Sequence, residues 1–217
     1  MRCWYRPGCN LAANNCEKTC HRFLEVAHLI DHCGMPNADN YIKSIVPEKE
    51  DVNAFLRLKE IKDNVVQFTE EGRNLYIYSE KFGNGKTTWA LKILYKYFDE
   101  IWCGNGFRTR GYFIYVPELL NRLTYSYRSS EDYKDFCKMI DEVDLVIWDD
   151  IAATNLTAND INHLSTFIDS RALKCKSNIY TGNLANEELR KAIGNRLYNR
   201  LWDSSEVITL VGRGRRI

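Results

Sequence analysis

Gly83, Gly85, Lys86 and Thr87 stand together in the stretch Ser79-Glu80-Lys81-Phe82-Gly83-Asn84-Gly85-Lys86-Thr87-Thr88. Two glycines this close let backbone N–H groups close around phosphate oxygens, and a helix beginning at the lysine adds a favourable dipole. A lysine here supplies a point charge for β- and γ-phosphates, and the hydroxyl after it can ligate Mg²⁺. Residues 83–88, with Asn84 and Thr88 included, are therefore the candidate nucleotide-binding segment. The usual spacing, G-x-x-x-x-G-K-[ST], has a glycine where this chain has Glu80.

A second group of residues can complete such a site. The apolar run Leu145-Val146-Ile147-Trp148 ends in Asp149-Asp150. A buried strand places these carboxylates at the sheet edge where ligands bind in open α/β folds. Asp149 can hold Mg²⁺ and Asp150 can orient or deprotonate an attacking water. Asn178-Ile179-Tyr180-Thr181-Gly182-Asn183 reads as a strand ending at Asn183, whose amide can hold a γ-phosphate or that water. Arg196, Arg200, Arg213, Arg215 and Arg216 come late in the chain. Arginine suits the charge that develops in phosphoryl transfer, and a neighbouring subunit can supply it.

A third group lies at the N-terminus. Cys3, Cys9, Cys16 and Cys20 are spaced C-x5-C-x6-C-x3-C, with His21 adjacent. In a reducing compartment four such thiols suggest closed tetrahedral zinc coordination, which would staple a module too small to build its own core. His21, or Cys33 with His28 and His32, are alternative ligands.

These groups need elements to position them. Asn74 to Tyr78 reads as a strand, and Ala90, Ile93, Leu94 and Tyr97 fall at helical spacing after the loop. Strands are expected again over 111–116, 145–150, 178–183 and 207–211, with helices between them near 117–125, 131–140, 161–172, 186–192 and 195–202. Such alternation predicts a mainly parallel α/β sheet covered on both faces. Before it, Phe23, Val26, Ala27 and Ile30 mark one helix, and Val52, Phe55, Leu56, Ile61 and Val65 mark another. Pro36 and Pro47 suggest a linker, so the expected divisions are a cysteine-rich module at 1–38, a linker helix at 39–72 and a nucleotide domain at 73–217.

The chain has 217 residues, 45% hydrophobic and 27% charged, with a net charge of +1. No global field draws it to nucleic acid, so any DNA contact needs a local patch. Arg122, Tyr125, Tyr127 and Arg128, with Arg108 and Arg110 before them, combine basic and aromatic character suited to single strands. The apolar runs are too short to cross a bilayer, and the first residues lack a signal-peptide core, so a cytoplasmic protein is expected.

With these residues in view, the chain resembles the AAA+ ATPases, and among them the replicative helicase loaders of bacteria and phages (DnaC/DnaI type), most closely the DnaC-like proteins of phages and prophages. The likeness rests on residues 145–151 and 178–184, on Asn195-Arg196-Leu197-Tyr198-Asn199-Arg200-Leu201, on the run 212–216 and on Cys3-Trp4-Tyr5, Gly8-Cys9 and Cys16 to Cys20. It implies a five-stranded parallel sheet in the order 5-1-4-3-2 with no C-terminal helical lid. It implies that residues 83–88 are Walker A, that Asp149 and Asp150 are Walker B, and that Asn183 is sensor 1. Arg200 would be the arginine finger and Arg216 a sensor-2-like arginine. The resemblance further implies ATP, Mg²⁺ and Zn²⁺ as ligands, an N-terminal module that grips a hexameric replicative helicase, and an ATP-bound homo-oligomer on single-stranded DNA. Two other readings are a transposition-helper ATPase of the same group and a nucleotide-insensitive adaptor that captures the helicase.

Overall fold

A computed structural model of the chain describes residues 20–35, 45–103, 108–123, 128–152 and 155–212. Five short strands, β1 (Asn74–Tyr78), β2 (Gly111–Tyr115), β3 (Leu145–Asp149), β4 (Ser177–Gly182) and β5 (Glu206–Thr209), form one sheet. All its pairings are parallel and its order is β2-β3-β4-β1-β5, which is 5-1-4-3-2 from the other edge. Every residue of β3 and β4 is buried, as expected for central strands covered on both faces.

Side chains alternate across each strand, and this divides the core into two layers. Leu75, Ile77, Leu145, Ile147 and Ile179 point to one face. There they meet α4 (Lys86–Ile101), which is backed by α1 (His21–Asp31), α2 (Val52–Asp63) and α3 (Val65–Glu70). Tyr76, Val146, Trp148 and Tyr180 point to the other face. That layer holds α5 (Val116–Arg122), α6 (Glu131–Glu142), α7 (Ala158–Leu173) and α8 (Asn186–Tyr198).

The strands expected from sequence are present with small boundary changes. Val116 begins α5 instead of ending β2, because Pro117 stands in the helix's first turn. Asp150 leaves β3 with φ 55, and β5 stops at Thr209. The two late helices are one element broken at Gly194, where φ is 75 and ψ is 162.

The N-terminal division needs correction for its described part. Val26, Leu29, Ile30 and Cys33 belong to the same buried cluster as α4. Arg22 Nη2 donates to Asp99 Oδ1 at 2.5 Å, and the Cys33 carbonyl accepts from the Phe113 amide of β2 at 2.7 Å. Residues 20–35 are thus part of the sheet domain's outer layer, as are α2 and α3. An amphipathic α1 needs an apolar partner, and α4 supplies it.

Candidate functional site

The loop between β1 and α4 has the shape that its glycines permit. Gly83 (φ 78) and Gly85 (φ 100) both take left-handed backbone, and Gly85 directly precedes the first turn of α4. Glu80 is exposed and is not among the residues with positive φ, so this position does not need a glycine's freedom. Its Oε1 accepts from the Tyr78 hydroxyl at 3.2 Å. Asn84 is turned inward: its amide donates to the Ser79 hydroxyl and, at 3.3 Å, to the Leu210 carbonyl. The Asn84 side chain therefore fixes the loop, which leaves only its backbone to meet a phosphate.

Lys86 opens α4 and is almost fully buried. Its ammonium donates to the Lys81 carbonyl at 3.1 Å, the Ser79 carbonyl at 3.4 Å and the Asn183 side-chain oxygen at 2.5 Å. One residue on, the Thr87 hydroxyl donates to Asp149 Oδ1 at 2.8 Å, and Thr88 lies in the same helical turn. The loop before α4, the end of β3 and the end of β4 thus converge at the C-terminal edge of adjoining strands.

Burial pushes the Asp149 carboxyl up to about 6, against hydrogen bonds from Thr181 and Thr87 that lower it. The Asp150 charge raises it further and Lys86 lowers it. A carboxylate in this condition gains from a cation. The donor set of Thr87 hydroxyl and Asp149 carboxylate fits Mg²⁺, and the glycine-shaped loop with Lys86 fits a triphosphate. Asp150 is held differently: its N–H donates to Thr181 Oγ1 at 2.9 Å, and it sits half-exposed beside Asp149.

Sequence reasoning missed Thr181. Its hydroxyl donates to Asp149 Oδ1 at 2.7 Å while accepting from the Asp150 amide, so one side chain holds the Asp149 carboxylate and the Asp150 backbone. A single threonine in a strand carries no pattern of its own, and its place two residues before Asn183 is the available signal. Tyr76 was missed as well. Its hydroxyl donates to the Leu184 carbonyl at 3.0 Å, which fixes the turn that carries Asn183.

The remaining expected residues do not all gather here. Arg200 lies beyond Gly194 in a turn over Asn199–Asp203, exposed, with Nε donating to Asp169 Oδ1 at 3.0 Å. Arg122 is exposed in the last turn of α5, and Arg128 Nη1 lies 3.2 Å from His163 Nε2. Arg216, Tyr125, Tyr127, Cys3, Cys9 and Cys16 lie outside the described residues. Cys20 caps α1, its sulfur accepting from the Phe23 amide at 3.3 Å. Among the described residues no three His, Cys, Asp or Glu side chains gather as a metal site. Cys33 is buried, donates to the Ile30 carbonyl at 3.0 Å, and is pushed up to about 12 by burial, which makes it a poor substitute ligand. His21 pairs with Glu25 at 2.9 Å, and His32 Nδ1 lies 2.9 Å from the His28 carbonyl.

No protein-family model matches the chain, and no curated protein matches its sequence. Solved structures do. The DnaC helicase loader matches with a TM-score of 0.63 at 21% identity, over 76% of this chain and 93% of that one. DnaI matches with a TM-score of 0.65 at 19% identity, over 84% and 94%. The replication initiator DnaA, bound to AMPPCP and single-stranded DNA, matches with 0.61 at 17% identity, over 77% of this chain and 48% of that one. At these identities the likeness concerns the fold alone, which this chain shares with the helicase loader and initiator structures.

Proposed function

We propose that this chain is an ATP-dependent loader that places a hexameric replicative helicase on single-stranded DNA during DNA replication. The observation that carries the reading is the convergence of Lys86, Thr87, Asp149, Asp150 and Asn183 at one sheet edge. The AAA+ fold shared with DnaC, DnaI and DnaA supports the replicative context.

In this reading the loop amides of residues 83–88 and Lys86 bind the phosphates of ATP. Thr87 and Asp149 would hold Mg²⁺, which would supply charge neutralisation for the phosphates. Asp150 orients the water and takes its proton, and Asn183 holds the water or the γ-phosphate. Arg200 of one copy reaches the ATP of the next, and Arg216 meets the phosphates within its own chain. The site is then complete only in a homo-oligomer. Cys3, Cys9, Cys16 and Cys20 hold a structural Zn²⁺ in the N-terminal segment that grips the helicase. Arg122, Tyr125, Tyr127 and Arg128 contact single-stranded DNA. The protein works in the bacterial cytoplasm, as a phage or prophage product. Among the described residues no helix is long and apolar enough to cross a membrane.

A pull-down from host extract with and without ATP tests this. Recovery of the replicative helicase supports the loader. Recovery of a transposase instead would make the chain a transposition helper. Helicase recovery with no difference in hydrolysis between wild type and Asp150→Asn would make it an adaptor. Glu80, in the place of the usual glycine, is the feature that favours the adaptor, and the loop takes left-handed backbone at Gly83 and Gly85 with Glu80 present.

A further inference from the structure

Asp169 belongs to none of the motifs above, yet two arginines share it. Arg196 Nη2 donates to Asp169 Oδ2 at 2.6 Å, and Arg200 Nε donates to Asp169 Oδ1 at 3.0 Å. The Asp169 side chain is only 15% exposed, whereas those of Arg196 and Arg200 are 80% and 46% exposed. A largely covered carboxylate on α7 thus anchors two cations that face outward.

The backbone explains why both arginines reach one acid. Gly194 breaks α8 with left-handed φ, and a Cβ there would meet nothing within 4 Å. The glycine is required by the bend and not by crowding. The bend makes Asn195 to Asp203 a separate short piece. Within it Leu197 and Leu201 are buried, four residues apart, and Arg196 and Arg200 repeat the same interval on the exposed side.

The atoms used are informative. Arg200 meets Asp169 through Nε, and this leaves the edge formed by its two terminal nitrogens for another oxyanion. That edge is the part of a guanidinium that matches a phosphate with two parallel hydrogen bonds. An arginine held at Nε is aimed before its target arrives, and it loses less freedom on binding than a loose one.

We propose that Asp169 is a positioning residue: it holds Arg200 by Nε so that the outer edge of the guanidinium is presented to the γ-phosphate bound by a second copy of the chain. Arg196 completes the clamp by neutralising the second carboxylate oxygen. This inference rests on the reading of Arg200 as a residue that acts across the interface. Asp169 touches no reacting atom and acts only through Arg200.

Mixed oligomers test it. Lys86→Ala chains keep Arg200 but cannot use ATP, and Arg200→Ala chains bind ATP but lack the arginine. In a mixture, the productive site joins an Arg200→Ala nucleotide pocket to a Lys86→Ala donor, so mixing restores turnover. Asp169→Asn added to the Lys86→Ala donor then lowers restored turnover by at least about tenfold, the scale expected when a reacting group is misplaced. The same substitution on the Arg200→Ala chain, whose arginine is already gone, has no such effect, and ATP affinity of that chain is unmoved. A purely structural role for Asp169 would lower turnover equally from either side, and that result would overturn the proposal. So would donor-side Asp169→Asn with full restoration. Failure of the simple mixture to restore any turnover would instead remove the shared-site reading, and this inference with it. Thermal unfolding of each variant separates misfolding from mispositioning.

Discussion

The Lys86 ammonium is 2.5 Å from the side-chain oxygen of Asn183, and this contact joins the start of α4 to the turn after β4. In the proposed function, a triphosphate entering the loop would take the ammonium for its own oxygens and release the amide. Asn183→Ala therefore removes a competitor for Lys86 and a contact to the γ-phosphate or water together. The expected result is ATP affinity no weaker than wild type with turnover lowered by about 100-fold, as for a lost oxyanion donor. Titration with a fluorescent ATP analogue and a phosphate-release assay measure the two separately.

Asp149 sets a pH dependence. Its carboxyl titrates near about 6 because burial disfavours the charged form. Above that value the carboxylate is available to Mg²⁺, and below it a proton competes. Mg²⁺-dependent nucleotide binding should weaken as pH falls through about 6, and Asp149→Asn should lose both the Mg²⁺ requirement and the pH dependence. The effect on folding has the opposite sense. The raised value favours the fold below the ordinary carboxylate range, and that contribution is lost as pH rises through about 6. Asp149→Asn should therefore unfold at a higher temperature than wild type at pH 8, in the absence of nucleotide.

Far from the site, Asp144 joins the other ends of the strands. It accepts from Arg110 Nε, from Lys176 Nζ at 2.7 Å and from the Tyr97 hydroxyl at 3.1 Å. Burial pushes its carboxyl up, but hydrogen bonds from Lys176 and Arg110 and their charges outweigh this and hold it low. Such a group stabilises the fold above the ordinary carboxylate range and loses that contribution as pH falls through its depressed value. Asp144→Asn should flatten the acid side of the stability profile and cost about 1–3 kcal/mol at neutral pH. Nucleotide affinity should not change.

Arg171 makes a sharper prediction. It is fully buried, and it donates to the carbonyls of Ile140, Val143 and Ser177 and to the Asn178 side chain. It ties the end of α6 to the start of β4. Arg171→Ala would orphan these acceptors at once, with an expected loss of about 3–5 kcal/mol in denaturant unfolding.

The sheet was legible because its strands are short apolar runs ending in polar chemistry. Leu145 to Asp149 is the clearest, since a continuous apolar run that stops at two acids has one sensible place in a parallel sheet. Lys86, Thr87 and Asp149 stand out in the sequence because their types and spacing suit phosphate chemistry, and the structure brings Thr87 and Asp149 together at 2.8 Å. Thr181, Asp169 and Arg171 do not stand out. Each acts through contacts between residues distant in the chain, and a single polar side chain inside a helix or strand carries no periodic signal. The outer layer was misread for a different reason. Clustered cysteines and two prolines suggested a separate module, but the apolar face of α1 over Val26, Leu29 and Ile30 packs with α4 in one core.

ATP turnover per chain as a function of protein concentration, for wild type and Arg200→Ala, tests the central claim most directly. The account predicts that wild-type turnover rises with concentration while Arg200→Ala stays near zero at every concentration, with equal ATP bound per chain. Equal turnover in the two proteins would contradict a site completed by a neighbouring copy.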